Sequence, residues 1–152
     1  SRMDAGRAAV VPSQVDLVDL VREVVDETGR PVDVALSAPA ELPVELDPAR
    51  TRVVVRNLVA NALQHGAPPV TVRVGEAVGE AVVSVTDAGP GVPPDLRERV
   101  FDRFTRGDEA RHGASTGLGL AIARENARLL GGTLDLGADG TTFTLRLPAT
   151  RG

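Results

Sequence analysis

A stripe of polar side chains runs along the most apolar helix that the sequence predicts. The segment RTRVVVRNLVANALQHG favours a helix over about 48–65, and at about 100° per residue four polar side chains share one side of it, namely Asn57, Asn61, Gln64 and His65. Asn is a poor helix former, and exposed helix faces usually carry charged residues instead. Amide oxygens suit a hard cation such as Mg²⁺. This striped helix therefore presents either a solvent face or the wall of a ligand site.

A carboxylate followed by glycines and prolines ends a predicted strand in TDAGPGVPP, residues 86–94. Asp87 comes first, and Gly89, Gly91 and Val92 follow it. Glycine lets a backbone approach a planar or anionic ligand closely, and a buried carboxylate can accept a hydrogen bond from an exocyclic amine such as that of adenine. A surface turn started by Asp uses the same residue types. Both interpretations stay open on this segment alone.

The segment STGLGLA places glycines at the predicted start of a helix. Gly117 and Gly119 would expose backbone amides beside the positive end of the helix dipole, where phosphate binds well. The segment lacks the preceding strand and the third glycine of a dinucleotide-binding fingerprint. Close packing of the helix on a sheet is the alternative explanation.

Two phenylalanines and several arginines lie together in VFDRFTRGDEAR. Arginine recognises phosphate through its fork of donors, so Arg106, and with it Arg103 or Arg111, are candidates to face a ligand. Phe101 and Phe104 are expected to be core anchors for the loop that follows.

Composition and charge exclude several classes of function. The chain has 152 residues, of which 42% are hydrophobic and 25% charged, as in one folded domain. It has no Cys and only two His, which excludes disulfides and makes a zinc site improbable. The absence of Lys excludes a Walker-type phosphate loop and a Schiff base. A net charge of −4 without a basic block predicts no nucleic-acid partner.

The first half of the chain predicts one helix and two strands before the striped helix. A helix is expected from Ser13, as its cap, to near Gly29. The alternation in PVDVALSA predicts a half-buried strand that includes Val32. LPVELD predicts a short strand, after which Asp47 caps the striped helix with Pro48 in its first turn.

The second half predicts two hairpins separated by helices. VTVRVG and EAVVSVTD form the first hairpin, and TLDLGADGTTFTLRLP forms the second. Between them PDLRERVFDRF predicts a short helix, TRGDEARHGAS a loop, and TGLGLAIARENARLL a helix ended by glycines. Hairpin strands with inserted helices favour an α+β fold, with helices on one face of a mixed sheet.

The four chemical segments occur in a fixed order, RNLVANALQHG, DAGPGVP, VFDRFTRG and STGLGLAIA. This order resembles the N, G1, F and G2 boxes of the ATP-binding domain of two-component sensor histidine kinases, a group related to the Hsp90, DNA gyrase and MutL ATPases. The resemblance covers about Ser13 to Pro148. It implies the Bergerat fold, a two-layer α/β sandwich whose mixed, mostly antiparallel sheet carries helices on one face.

The resemblance also implies roles for individual residues. Asn61 resembles the Mg²⁺-ligating asparagine, Asn57 lines the same cleft, Asp87 resembles the carboxylate that reads the adenine amino group, and Arg106 is in line for the terminal phosphate of ATP. Asn61 and Arg106 are the predicted catalytic residues. Residues 105–116 resemble a lid. The remaining predicted nucleotide contacts are Gln64, His65, Gly89, Gly91, Val92, Arg103, Thr116, Gly117, Leu118, Gly119, Leu120 and Thr141.

The sequence departs from the family pattern at several positions. Ala88 follows the aspartate where Asn is usual, Gln64 stands where Lys or Arg is frequent, and GAST replaces the commoner GGT. No motif resembling His-Glu-Leu-Arg-Thr-Pro occurs, and neither His65 nor His112 can replace it. The phosphate acceptor is therefore expected outside this chain, with residues 1–12 as a linker from it and 13–150 as the ATP-binding domain.

The implied function is that of a sensor kinase catalytic domain. It would bind ATP and Mg²⁺ and donate the γ-phosphate to a histidine on a separate dimerisation domain, for relay to a response regulator. The resemblance implies a cytoplasmic domain of a membrane-anchored homodimer, with the isolated chain monomeric. Two alternatives are an anti-sigma-factor serine kinase of the same fold and a nucleotide-binding regulatory module without kinase activity.

Overall fold

The structure is a computed structural model that describes residues 9–102 and 119–149. Its strands are β1 (Ser13–Asp16), β2 (Val34–Ser37), β3 (Pro43–Leu46), β4 (Val70–Ala77), β5 (Glu80–Thr86), β6 (Thr133–Leu136) and β7 (Thr142–Pro148). Its α-helices are α1 (Leu17–Glu27), α2 (Pro48–His65) and α3 (Gly119–Leu129), and short 3-10 helices span Pro31–Asp33 and Pro94–Arg99. None of the helices in this described part is both long and apolar enough to cross a membrane.

The main sheet has five strands in the order β2-β4-β5-β7-β6. The β2–β4 pair is parallel and the other three pairs are antiparallel. A separate antiparallel pair joins β1 to β3, with Ser13 opposite Leu46. The mixed, mostly antiparallel sheet expected from the sequence is therefore confirmed.

The helices pack on one face of this sheet. Alternate residues of the central strands are buried and form one cluster with the apolar sides of the helices, including Val72, Val83 and Leu145 from the sheet and Leu17 and Leu58 from α1 and α2. The residues between them, such as Arg73 on β4 and Arg146 on β7, are exposed. This alternation produces the expected two-layer sandwich.

Local capping fixes where the striped helix α2 begins. Asp47 precedes it, and Asp47 Oδ1 accepts a hydrogen bond from the Arg50 amide at 3.1 Å, while Pro48 lies in the first turn. Both features match the sequence prediction. The second carboxylate oxygen accepts from the Val11 amide at 2.9 Å, so Asp47 also holds the segment before β1.

Two predictions for the first sixty residues are wrong in their bounds. The helix predicted from Ser13 begins at Leu17, because residues 13–16 pair with β3 and Asp16 is the cap, accepting from the Val18 amide at 2.9 Å. The strand predicted to include Val32 begins only at Val34, and Val32 lies 93% exposed in a 3-10 helix that starts at a proline. In both places the hydrophobic pattern of the sequence continues past a boundary that strand pairing sets.

Candidate functional site

Asp87 lies where β5 ends and connects that strand to two other elements. Its Oδ1 atom accepts hydrogen bonds from the Gly89 amide at 2.6 Å and from the Ala67 amide at 3.3 Å. Its own amide donates to the Thr141 carbonyl at 3.4 Å. The carboxylate is therefore positioned by the loop after α2 and by its own glycine turn, while its backbone is positioned by the residue before β7.

The other carboxylate oxygen of Asp87 is available to a ligand. Within the described residues, every hydrogen bond of this side chain goes to Oδ1, and Oδ2 accepts none. The carboxylate is only half-buried, so a polar group can approach it from outside. A carboxylate with one oxygen fixed by amides and the other open is suited to accept a hydrogen bond from a ligand amine.

Glycines surround this carboxylate because nothing larger fits. A Cβ on Gly66 would overlap the carboxylate carbon of Asp87, and a Cβ on Gly89 would lie 2.9 Å from Oδ1. Gly66 has an ordinary backbone conformation, with φ at −99°, so its requirement is space and not torsional freedom. Gly66, Ala67, Asp87, Gly89 and Thr141 together are called the Asp87 end of the site.

Two loops meet beside the Asp87 end. The Val92 amide donates to the Gly140 carbonyl at 2.8 Å, and a Cβ on Gly91, at φ +85°, would lie 2.9 Å from the Thr141 methyl carbon. The Thr141 amide donates to Asp139 Oδ1 at 3.0 Å. This bond, with the Thr142 hydroxyl, lowers the pKa of Asp139. Thr141 is thus held against the glycine turn, and its contact with a nucleotide stays a prediction.

The polar stripe of α2 leads away from the Asp87 end. Asn57 Nδ2 donates to the Val53 carbonyl at 2.9 Å, and its Oδ1 faces Gly119, where a Cβ would lie 3.0 Å from that oxygen. Asn61 lies half-buried one turn further along. Asn57, Asn61 and Gly119 are called the Asn57 end. From Asn57 to the helix end at His65 is eight residues, or about 12 Å.

The four stripe residues do not all face the same way. His65 is half-buried at the end of α2, next to Gly66. Gln64 is exposed and lines a groove of 380 Å³ between α1 and α2, together with Val24 and Arg56. Gln64 therefore lies on the flank of the stripe that turns towards α1, and its assignment to a nucleotide site stays a prediction.

The remaining predicted residues divide into three groups. The side chains of Val92 and Leu120 are buried in the core, and the assignment of these two residues to a nucleotide site stays a prediction. Phe101 packs edge-on against Phe143, with centroids 5.8 Å apart, and the Arg124 guanidinium lies 4.5 Å from its ring, which confirms it as an anchor. Several candidates lie outside the described residues, namely Arg103, Phe104, Arg106, Arg111, Thr116, Gly117, Leu118 and the lid segment 105–116.

Sequence reasoning missed two residues that shape the Asp87 end. Gly66 follows a helix, so it was indistinguishable from an ordinary helix-terminal glycine. Arg97 lies in the 3-10 helix after the glycine turn, and it donates to the Val92 carbonyl at 3.0 Å and to the Ala138 carbonyl at 2.7 Å. No local pattern distinguishes this arginine from the exposed Arg99 two residues later.

Known proteins resemble this chain in sequence and in structure. Residues 46–151 match the family described as histidine kinase-, DNA gyrase B- and HSP90-like ATPases. The signal transduction histidine-protein kinase AfsQ2 of Streptomyces coelicolor is 41% identical over 97% of the chain. The chain spans only 28% of that relative's length.

Two solved structures share the fold. Full-length ShkA, in complex with AMPPNP, superposes with a TM-score of 0.80 at 28% identity, covering 95% of this chain and 32% of that one. The mycobacterial sensor histidine kinase MprB superposes with a TM-score of 0.75 at 28% identity, covering 93% of this chain and all of that one. The fold expected from the four boxes is confirmed by both.

Proposed function

Because the chain belongs to the family of histidine kinase-, DNA gyrase B- and HSP90-like ATPases, we propose that it is the ATP- and Mg²⁺-binding catalytic domain of a sensor histidine kinase. In the whole protein it would donate the γ-phosphate of ATP to a histidine on a separate dimerisation domain. A response regulator would then receive the phosphate. That protein would be a membrane-anchored homodimer with this domain on the cytoplasmic side.

The observation that carries the proposal is the Asp87 carboxylate. Its Oδ1 is held by two amides, and its Oδ2 is open within the described residues. Adenine presents one exocyclic amine on its edge, and a fixed acceptor reads that group without reorganisation. The absence of side chains at Gly66 and Gly89 leaves room for the Asp87 carboxylate to lie against the backbone of these two residues.

The donor set at the Asn57 end fits a magnesium nucleotide. The described residues contain no group of three His, Asp or Glu side chains that could hold a metal ion. A Mg²⁺ ion brought with ATP keeps several waters and phosphate oxygens, so one amide oxygen, here that of Asn61, is a sufficient protein ligand. When bound, the ion would neutralise charge on the transferring phosphate.

The chain's own residues would bind and orient the nucleotide. Asp87 fixes the base beside the C-terminal end of α2, and Asn57 with Gly119 borders the middle of that helix, about 12 Å from its last residue by helix rise. Phosphoryl transfer depends mainly on positioning and on electrostatic stabilisation. Holding the base at Asp87, after β5, and the phosphates beside Asn57 and Asn61, on α2, supplies the first of these. Arg106 is proposed to contact the terminal phosphate.

Phosphoryl transfer can be tested with a separate acceptor. The chain is incubated with γ-labelled ATP, Mg²⁺ and the dimerisation domain of a sensor kinase, with a His→Gln acceptor as the control. We expect acid-labile label on the histidine-containing domain only. Label on neither domain, with ATP still bound tightly, would indicate a regulatory module without kinase activity. Acid-stable label on a serine would indicate the serine kinase alternative.

A further inference from the structure

Arg97 joins the two loops that meet beside the Asp87 end. Its Nε donates to the Val92 carbonyl at 3.0 Å, in the glycine turn, and its Nη1 donates to the Ala138 carbonyl at 2.7 Å, in the turn between β6 and β7. The two acceptors belong to segments more than forty residues apart in sequence. One side chain therefore connects the turn after Asp87 to the turn that carries Thr141.

The flat guanidinium also fills the space under Gly140. A Cβ on Gly140 would lie 2.7 Å from Nη2 and 3.0 Å from Cζ of Arg97, so the group lies against the glycine backbone. On the other side of that glycine, the Gly140 carbonyl accepts from the Val92 amide at 2.8 Å. Gly140, the residue before Thr141, thus contacts both the guanidinium and the glycine turn.

We propose that Arg97 is a positioning residue for base recognition, which acts by fixing Thr141 and the glycine turn at the distance from Asp87 that an adenine needs. This inference rests on the proposed function, because it assumes that the base lies at the Asp87 end. Arg97 touches no reacting atom and acts through Val92 and Gly140. Neither Lys nor Gln can replace it, since only the planar fork donates in two directions while lying flat against a backbone.

Loss of the two hydrogen bonds of Arg97 should change the selectivity for adenine over other bases more than it changes the stability of the fold. The Val92 side chain is buried in the core cluster, so the fold is retained without Arg97, whereas the hydrogen bond from the Val92 amide to the Gly140 carbonyl loses support on both sides. Without Arg97 the Val92 carbonyl and the Ala138 carbonyl each lose a donor, so the β6–β7 turn keeps its internal hydrogen bonds to Asp139 but loses its side-chain connection to the glycine turn. The gap between Thr141 and Asp87 then varies, and a site that discriminates by fixed hydrogen bonds loses discrimination when those bonds are mispositioned.

The test compares Arg97→Gln and Arg97→Lys with Arg99→Gln, an exposed arginine in the same short helix. Dissociation constants for ATP and GTP are measured by calorimetry, together with hydrogen exchange of the Val92 amide. We expect both Arg97 variants to bind ATP about tenfold more weakly. We also expect the ratio of GTP to ATP dissociation constants to fall severalfold and Val92 exchange to accelerate. Arg99→Gln should match the wild type.

Each outcome decides between the claims. If the wild type does not bind ATP, the proposed function fails, whatever Arg97 does. If the wild type binds ATP and both Arg97 variants keep its GTP-to-ATP ratio, the inference about Arg97 is overturned. The inference is also overturned if both Arg97 variants bind ATP and GTP more weakly by the same factor, because an unchanged GTP-to-ATP ratio would indicate only a loss of fold stability. Should Arg97→Gln not fold, Arg97→Lys carries the test, because it keeps the aliphatic stem and the charge.

Discussion

The two ends of the site are built by different means. At the Asp87 end a carboxylate, two amides and the Thr141 carbonyl are joined by hydrogen bonds of 2.6 to 3.4 Å, and two glycines keep the space around them. At the Asn57 end a side chain bonds back to its own helix and faces one glycine of α3.

This difference indicates a division of labour between the two ends. The Asp87 end has its geometry fixed before any ligand binds, so it suits recognition of a rigid base. The Asn57 end supplies amide oxygens to a ligand that brings its own cation and waters. Substitutions at the two ends should therefore differ in which part of the nucleotide they affect.

The largest effect is expected from Asp87→Asn. The Asn side chain has the same shape as Asp but carries no charge. Its NH₂ group must replace either Oδ1, where it faces the Gly89 amide, or Oδ2, where it faces the ligand amine, and in both cases two donors face each other. ATP should bind about 100-fold more weakly, since a hydrogen bond to a charged group contributes about 1.5–3 kcal/mol. AMP, which lacks the outer phosphates, should lose affinity by a similar factor. Calorimetry measures both, with the exposed Asp95→Asn as control.

Gly66→Ala should weaken binding without removing any polar group. The new methyl overlaps the Asp87 carboxylate carbon, so the carboxylate must move away from the Ala67 amide. We expect about tenfold weaker binding of ATP and of AMP, and about 1–3 kcal/mol lost from the free energy of unfolding. Gly75→Ala is the matched control, because nothing lies within 4 Å of its added methyl. Equal effects of the two variants on affinity would contradict the close approach at Gly66.

Asn61→Ala should affect the Asn57 end alone. Affinity for ATP measured with Mg²⁺ should fall about tenfold, whereas affinity measured with EDTA should be unchanged, because the amide acts through the cation. AMP binding should also be unchanged. A loss of equal size with and without Mg²⁺ would place Asn61 on the nucleotide itself, and the proposed division between the two ends would be wrong.

The smallest effect is expected from Asp47→Asn, at the start of α2. Burial acts to raise the pKa of Asp47, but amide hydrogen bonds from Val11, Arg50 and Ala49, with the charge of Arg50, lower it overall below its ordinary value of 3.8. The ionised carboxylate of Asp47 therefore stabilises the folded state relative to the unfolded chain. Its contribution is complete above pH 3.8 and is lost as the pH falls through the lower, folded-state value.

We expect the wild type to exceed Asp47→Asn by about 1 kcal/mol in free energy of unfolding at pH 7, since Asn also caps helices well. That difference should shrink towards pH 3. Urea titrations across this range, with the exposed Asp26→Asn as control, measure it. A difference that does not change with pH would mean that the charge of Asp47 does not contribute.

The sequence predicts the two ends unequally well. The segment TDAGPGVPP by itself leaves Asp87 as either a turn residue or a ligand contact, and only the order of the four boxes along the chain makes it a candidate to contact the base. The contact of Gly66 with Asp87 joins residues that lie in different elements, and it exists only because the end of α2 packs against the end of β5. The contact of Gly119 with Asn57 likewise depends on how α3 packs against α2.

The sequence predicts whether a segment is a helix or a strand better than it predicts the residue at which that helix or strand begins. Asp47 caps α2 as expected because Pro48 follows it and a short strand precedes it. Ser13 and Asp16 are both good caps by residue type, and only the pairing of residues 13–16 with β3 decides between them. Arg97 could not be identified as structurally important, since its two carbonyl acceptors come together only in the folded chain.

The central claim is that Asp87 reads the amino group of adenine. Binding of ATP and of inosine triphosphate, which carries a carbonyl in place of that amine, tests it most directly when both are titrated into the wild type and into Asp87→Asn. The account predicts that the wild type prefers ATP by at least about tenfold, and that Asp87→Asn loses this preference. A preference for ATP of equal size in both proteins would show that another group reads the base.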